Sequence, residues 1–199
     1  MGFMIEAVTD ERETFNANVI MITTNLINLL KSGLSNDDPQ TTTIKETLSK
    51  IAFFLKEDFH QFMDSLMSTV FEDAKADIDI KMENAAIPTN DKNAGVTFKL
   101  KGLEGEQRIS MNTSALENKN SAFKLISMIS ESMGKAFTPY AEVVLNLVVE
   151  YMTYPYSKVI RKYCMQTIMN ILHDVGEPLN VTIFSALFPK IIAMINTEF

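Results

Sequence analysis

Apolar residues recur every three or four positions along most of this chain. Ile44, Leu48, Ile51 and Leu55 form one such series, and Phe59, Phe62, Leu66 and Val70 form the next; this spacing lines one face of an α-helix. The pattern predicts helices over roughly 10–32, 39–56, 58–81, 115–134, 137–153, 156–175 and 179–197. Punctuating residues agree with it. Gly33 follows the first helix, Asp37-Asp38-Pro39 opens the second with a capping acid ahead of an N1 proline, and Thr138-Pro139 and Glu177-Pro178 open later ones. Residues 83–114 break the period. They carry Asn, Gly, Pro and Lys, and Val96-Thr97-Phe98-Lys99-Leu100 alternates apolar and polar, so this stretch reads as an inserted loop holding a short strand. A loop of this length is either functional or disordered.

The helical pattern repeats itself. A shift of 42 residues carries Ile126, Ile129 and Met133 onto Ile168, Ile171 and Val175, then Gly134 onto Gly176 and Phe137 onto Leu179. A shift of 78 carries Ile44, Leu48, Ile51, Leu55, Phe59, Phe62 and Leu66 onto Ala122, Ile126, Ile129, Met133, Phe137, Tyr140 and Val144. The two shifts differ by 36 residues, which the inserted segment accounts for. A period of 42 lies in the range of about 40–47 residues of HEAT and armadillo helix pairs. Each pair is amphipathic and buries its apolar face only by stacking on a neighbour. The expected fold is therefore all-α: a HEAT-repeat α-α superhelix, or solenoid, with one long inserted loop. The whole chain, 1–199, forms one segment, with helix pairs at about 39–81, 115–153 and 156–197 and the insertion at about 83–114. The apolar last helix lacks a polar cap, and Met1-Gly2 run directly into a helix with no earlier partner. A stack cut from something longer is the expectation.

Composition narrows the function classes. The apolar fraction of 46% suffices for a real core, and 18 basic against 25 acidic residues leave a net charge of −7. Such a chain repels nucleic-acid phosphate and favours basic protein partners. The single cysteine, Cys164, sits in an apolar helical context, as a small buried hydrophobe in a reducing compartment does. Residues 1–8 lack the basic start of a secretory signal, and the most apolar stretch, Val143 to Val149, is interrupted by Asn146 and flanked by Glu142 and Glu150. No membrane insertion is expected.

Catalytic machinery is not legible, and no enzyme is expected. His60 and His173 lie more than a hundred residues apart. No phosphate-binding glycine loop, nucleophile elbow or metal-binding pair of histidines occurs, so no catalytic residue, metal ligand or cofactor is assigned. Acid pairs such as Glu57-Asp58, or Asp77 with Asp79, read as solvated helix faces. The thirteen methionines and thirteen phenylalanines read as core filling, with adaptable apolar grooves as the alternative.

Ile160-Arg161-x-x-Cys164-x-x-x-Ile168 resembles the HEAT signature Val-Arg-x-x-Ala-x-x-x-Leu, and Lys119 and Ala122 take the matching places one repeat earlier. The small residue permits close helix approach, the aliphatic ones fill the core, and the arginine can reach a neighbouring repeat's acid or carbonyl. A longer match begins with Asp37-Asp38-Pro39-Gln40 and Lys56-Glu57-Asp58-Phe59-His60-Gln61-Phe62. It continues inside the insertion with Phe98-x-Leu100-x-Gly102, Gly105-Glu106-Gln107 and Leu116-Glu117-x-Lys119, then runs through Phe137-Thr138-Pro139-Tyr140 and Val144 into Ile160-Arg161. Together these resemble the later-middle portion of beta-3 type importins, nuclear transport receptors of the importin-β (karyopherin-β) family. The resemblance covers residues 37–175. It departs where that family has an acidic cluster and a tryptophan, since this chain has Asn90-Asp91-Lys92-Asn93 and Val96.

The resemblance implies a receptor that binds cargo proteins with basic import signals, the GTPase Ran and Phe-Gly nucleoporins, and that shuttles between cytoplasm and nucleus. It also implies that the second helix of each pair lines the concave, cargo-facing side. That side would expose Asp64, Ser68 and Glu72, then Glu142, Asn146 and Glu150, at helical spacing opposite the core positions; these residues either form a solvated helix face or pair with Lys or Arg of an extended peptide. A structural HEAT scaffold of another assembly, such as a phosphatase regulatory subunit or a cytoskeletal adaptor, is the alternative.

Overall fold

A computed structural model of the chain describes residues 12–32, 34, 38–78, 80–84 and 107–174, together with 181, 184–185, 187–189 and 192. Six α-helices follow one another among these: α1 (Arg12–Lys31), α2 (Pro39–Leu55), α3 (Met63–Lys75), α4 (Thr113–Met133), α5 (Thr138–Tyr151) and α6 (Lys158–Asp174). Short 3-10 segments, Lys56–Phe62 and Gly134–Phe137, join α2 to α3 and α4 to α5. Two strands, β1 (Ile80–Asn84) and β2 (Gln107–Met111), pair antiparallel with Ile80 opposite Met111 and Asn84 opposite Gln107.

Helix starts are capped as the local sequence allows. Asp38 accepts a bond from the Gln40 N–H at 2.8 Å ahead of Pro39, and Asn112 accepts one from Ala115 at 3.1 Å. Before α6, the Ser157 hydroxyl accepts from the Ile160 N–H at 3.2 Å and donates to Asn120 Oδ1 at 2.6 Å, so this cap also joins two repeats. The first turn out of α2 is made by Lys56 at φ 52° and ψ −124°, and the turn out of α4 by Gly134 at φ 52° and ψ −128°. These two positions are 78 residues apart, as the repeat requires.

First helices of the pairs stack directly, α2 on α4 and α4 on α6, with α4 at the centre. Leu48, Ala122, Phe123, Leu125, Ile126, Ile129 and Ile160 between them have no exposed surface. Each large side chain among these contributes about 1.5–3 kcal/mol by leaving water. The second helices, α3 and α5, close the pairs with Met63, Leu66, Val70 and Ala74 on one and Val144 and Val148 on the other, all without exposure. They meet chiefly at their first turns, where the two 3-10 segments touch. The fold is the all-α stack of helix pairs expected of a HEAT-repeat solenoid.

The helix expected over 58–81 differs from what is observed. Its first residues are 3-10, and α3 stops at Lys75, where Ala76 turns extended at φ −50° and ψ 134°. Asp77 and Asp79 follow, and acids beyond a helix C-terminus oppose its dipole. Residues 80–84 then enter a strand instead of continuing the helix. Paired strands therefore frame the insertion on both sides; the strand expected at 96–100 lies outside the described residues, as does most of the last helix. The residues described there, 181, 184–185, 187–189 and 192, are helical.

Candidate functional site

The exposed side of α3 and α5 is the candidate surface. On α3 the apolar residues point inward, leaving Asp64, Ser68 and Glu72 exposed; on α5 Glu142, Asn146 and Glu150 are exposed together with the apolar Val143. These six residues are related by the repeat: Asp64 matches Glu142, Ser68 matches Asn146 and Glu72 matches Glu150, each 78 residues on. Two acidic rows with a neutral row between them result. α5 carries no lysine or arginine, and α3 carries one, Lys75, in its last turn. A cation on this face meets little competition from the helices themselves.

The first-turn row is tied across the junction. The Tyr140 hydroxyl donates to Asp64 Oδ1 at 3.2 Å, and burial together with this carboxylate raises the Tyr140 pKa. At the other end, Lys119 is buried and donates to the Ala76 carbonyl at 2.8 Å and to the Tyr151 hydroxyl at 3.4 Å. Its ammonium also lies 4.6 Å from the Tyr151 ring centre and 5.3 Å from that of Tyr154, within cation–π range. Burial lowers the Lys119 pKa against the raising influence of Asp77 and Glu150. The Glu72/Glu150 row thus ends beside a cation that the protein supplies itself.

Asp73, next to Glu72, is turned the other way. Its carboxylate pairs at 2.5 Å with Lys45, which has no exposed surface. Desolvation lowers the Lys45 pKa, opposed by the charge and hydrogen bond of Asp73. Periodicity alone did not reveal this pair, because Lys45 stands one residue after core Ile44 in a helix and nothing local signals a distant partner.

The HEAT-signature residues occupy structural places. Ile160 and Cys164 have no exposure, Ile168 has 2%, and Arg161 Nη1 donates to the Tyr154 carbonyl at 2.9 Å. Burial pushes the Cys164 thiol up to about 12, which leaves it unreactive. His60 and His173 are exposed; His60 Nδ1 lies 3.0 Å from the Glu57 carbonyl and His173 Nδ1 2.9 Å from Asp174. Among the described residues no group of His, Cys, Asp and Glu is arranged to hold a metal ion, and no helix is long and apolar enough to cross a membrane.

The stacked pairs define the class, a HEAT-repeat solenoid with an insertion between one pair and the next. Comparison with models of known protein families gives no match. Among solved structures, the chain resembles the karyopherin Kap121p. Against Kap121p bound to Pho4p the TM-score is 0.73 at 18% identity, over 94% of this chain and 18% of that one. Against Kap121p bound to the SUMO protease Ulp1p it is 0.72 at 18% identity, over 94% and 17%. Against Kap121p bound to RanGTP it is 0.69 at 19% identity, over 91% and 18%. The chain therefore spans under a fifth of the length of these karyopherins.

Proposed function

We propose that this chain is part of a nuclear import receptor of the beta-3 importin type, and that its share of the work is to present an acidic surface to cargo. The observation carrying this reading is the pair of acidic rows, Asp64/Glu142 and Glu72/Glu150, on an exposed helix face with a single basic residue. The likeness to Kap121p over 94% of the chain and the resemblance of the insertion support it. Basic import signals on cargo would lie along the rows, with Asn146 and Ser68 donating and accepting between them. In the whole receptor, Ran-GTP and Phe-Gly nucleoporins are the further partners, and the receptor moves between cytoplasm and nucleus.

The test is binding of a fluorescent lysine- and arginine-rich peptide to the chain, read by anisotropy as salt is raised. Affinity should fall steeply with salt and should drop at least about tenfold, roughly 1.4 kcal/mol, in the Glu72→Lys/Glu150→Lys variant. Binding that ignores both salt and charge reversal would refute the acidic-surface reading. In the full-length receptor, failure to capture both Ran-GTP and a Phe-Gly nucleoporin would favour the structural scaffold instead.

A further inference from the structure

Among the described residues, Lys45 heads the fully buried large side chains. It lies in α2 among Ile44, Leu48 and Ile51, yet its ammonium reaches Asp73 of α3 at 2.5 Å and Asn118 of α4 through both the side-chain oxygen and the backbone carbonyl, the latter at 3.5 Å. Asn118 Nδ2 closes the triangle by donating to Asp73 Oδ1 at 3.4 Å. Three helices, two from one repeat and one from the next, are joined through a single dry ammonium. Its three donors have three acceptors.

Such a triad adds little net stability, because taking the ammonium and most of the carboxylate out of water costs about as much as their attraction returns. What it restricts is geometry. Apolar contacts such as those of Leu48 with its neighbours tolerate small rotations of one helix pair on another, whereas an ammonium left short of an acceptor in a dry site is costly.

The following junction supplies the comparison. Lys45 corresponds to Phe123 and Asp73 to Tyr151, each 78 residues on, and Asn118 corresponds to Ile160, 42 residues on. There the charge pair is replaced by an aromatic pair with ring centres 5.1 Å apart, beside an Ile160 with no exposure. The same structural place thus holds an ion pair at the junction bearing the insertion and an aromatic pair at the next, where the side-chain hydrogen bonds to α4 are neutral ones: Asn170 Nδ2 donates to the Ser127 carbonyl at 3.2 Å and to Ser130 Oγ at 3.1 Å, and Ser157 Oγ to Asn120 Oδ1 at 2.6 Å.

We propose that the Lys45–Asp73–Asn118 triad is a junction lock: its buried ion pair holds the angle between the first and second helix pairs more tightly than neutral hydrogen bonds hold the second junction, so that this solenoid segment bends more at the second junction than at the first. The repeat offers matched label sites for a test, since Phe53, Glu131 and His173 are equivalent and exposed. In a Cys164→Ala background, spin labels at Phe53→Cys and Glu131→Cys span the first junction, and labels at Glu131→Cys and His173→Cys span the second. Pulsed electron–electron distance measurement on the otherwise native chain should give a narrower distribution across the first junction than across the second. The swap Lys45→Phe/Asp73→Tyr/Asn118→Ile, which writes the second junction's residues into the first, should broaden the first distribution to the width of the second. Equal widths in the unswapped chain overturn the proposal without recourse to any junction variant. A folded swap variant that keeps the narrow width overturns it as well. If the swap does not fold, Asp73→Asn keeps the shape and weakens the pair, and an unbroadened first junction in that variant is equally contrary.

Discussion

Lys119 and Arg161 hold equivalent positions in successive repeats and make the same bond. Each donates from the first turns of its helix to the carbonyl that follows the preceding pair, Lys119 to Ala76 at 2.8 Å and Arg161 to Tyr154 at 2.9 Å. The partners are separated by 43 residues in one case and by 7 in the other. The insertion therefore lengthens the connection without changing how the two repeats are fastened. Lys119→Met, which keeps an apolar stem but removes the bond and the contacts with Tyr151 and Tyr154, should cost about 1–3 kcal/mol. Lys119→Arg, the residue the next repeat uses, should cost much less. Urea midpoints with unchanged m-values measure both, and a Lys119→Met chain as stable as the parent would contradict the assignment.

Lys56 and Gly134 make the same turn, and only one of them is suited to it. A backbone at φ 52° and ψ −124° is adopted readily by glycine and costs other residues about 1–3 kcal/mol. Lys56→Gly should therefore raise stability by about 1 kcal/mol once glycine's greater freedom in the unfolded chain is counted, or about 2–4 °C in Tm. Gly134→Ala should lower it by about 1–3 kcal/mol. The nearest atom to the added methyl would be Asp174 Oδ2 at 3.8 Å, so this loss comes from the backbone and not from a clash. Melting curves that move the other way would count against the shared geometry.

The parts of this structure that obey the repeat were readable from residues alone. Shifts of 42 and 78 align Lys119 with Arg161 and Lys56 with Gly134, and they put Asp64, Glu72, Glu142 and Glu150 on one kind of face. What escaped was the inward turn of isolated polar side chains toward distant partners. Lys45 and Asn118 are 73 residues apart, and the period that places helices says nothing about which polar side chain turns inward. The end of α3 escaped for a different reason. Ile78 and Met82 continue the apolar spacing, whereas the extended backbone at Ala76 comes from the acids beyond it and from pairing with a strand some 25 residues away, neither of which is a local apolar signal.

Alkaline pH should loosen the fold, with an identifiable share from one thiol. Cys164 ionises at about 12 in the folded chain instead of its ordinary 9.0, because burial disfavours the thiolate. Between these values the native state holds a proton that the unfolded chain has released, so stability falls as pH rises. Tyr154, raised from 10.0 to about 12 by desolvation, acts in the same direction at higher pH. Lys45 and Lys119, both lowered by burial, act oppositely up to their ordinary 10.5. Cys164→Ala should therefore flatten the decline that begins at pH 9.0, by at most about 1.4 kcal/mol per pH unit. Urea midpoints across that range measure it, and identical slopes in parent and variant would place the alkaline sensitivity elsewhere.

Excising the insertion should leave the solenoid standing. Removing residues 77–112 takes out 36 residues and brings Ala76 next to Thr113, so that Lys119 stands as far along the chain from Ala76 as Arg161 does from Tyr154. With Thr113→Pro, Ser114→Tyr and Ala115→Ser, the new connection copies the Tyr154-Pro155-Tyr156-Ser157 turn and restores a serine cap for α4 in place of Asn112. The shortened chain retains the Lys45–Asp73–Asn118 triad, the Lys124–Glu46 pair at 2.9 Å and the apolar stack of α2, α4 and α6. It should unfold cooperatively with a Tm within about 5 °C of the parent, corresponding to a change of about 1–2 kcal/mol. A molten or aggregated product would mean that the paired strands take part in holding the repeats together. Retained stability would free the insertion for a role in binding, which the peptide titration on the shortened chain would then measure directly.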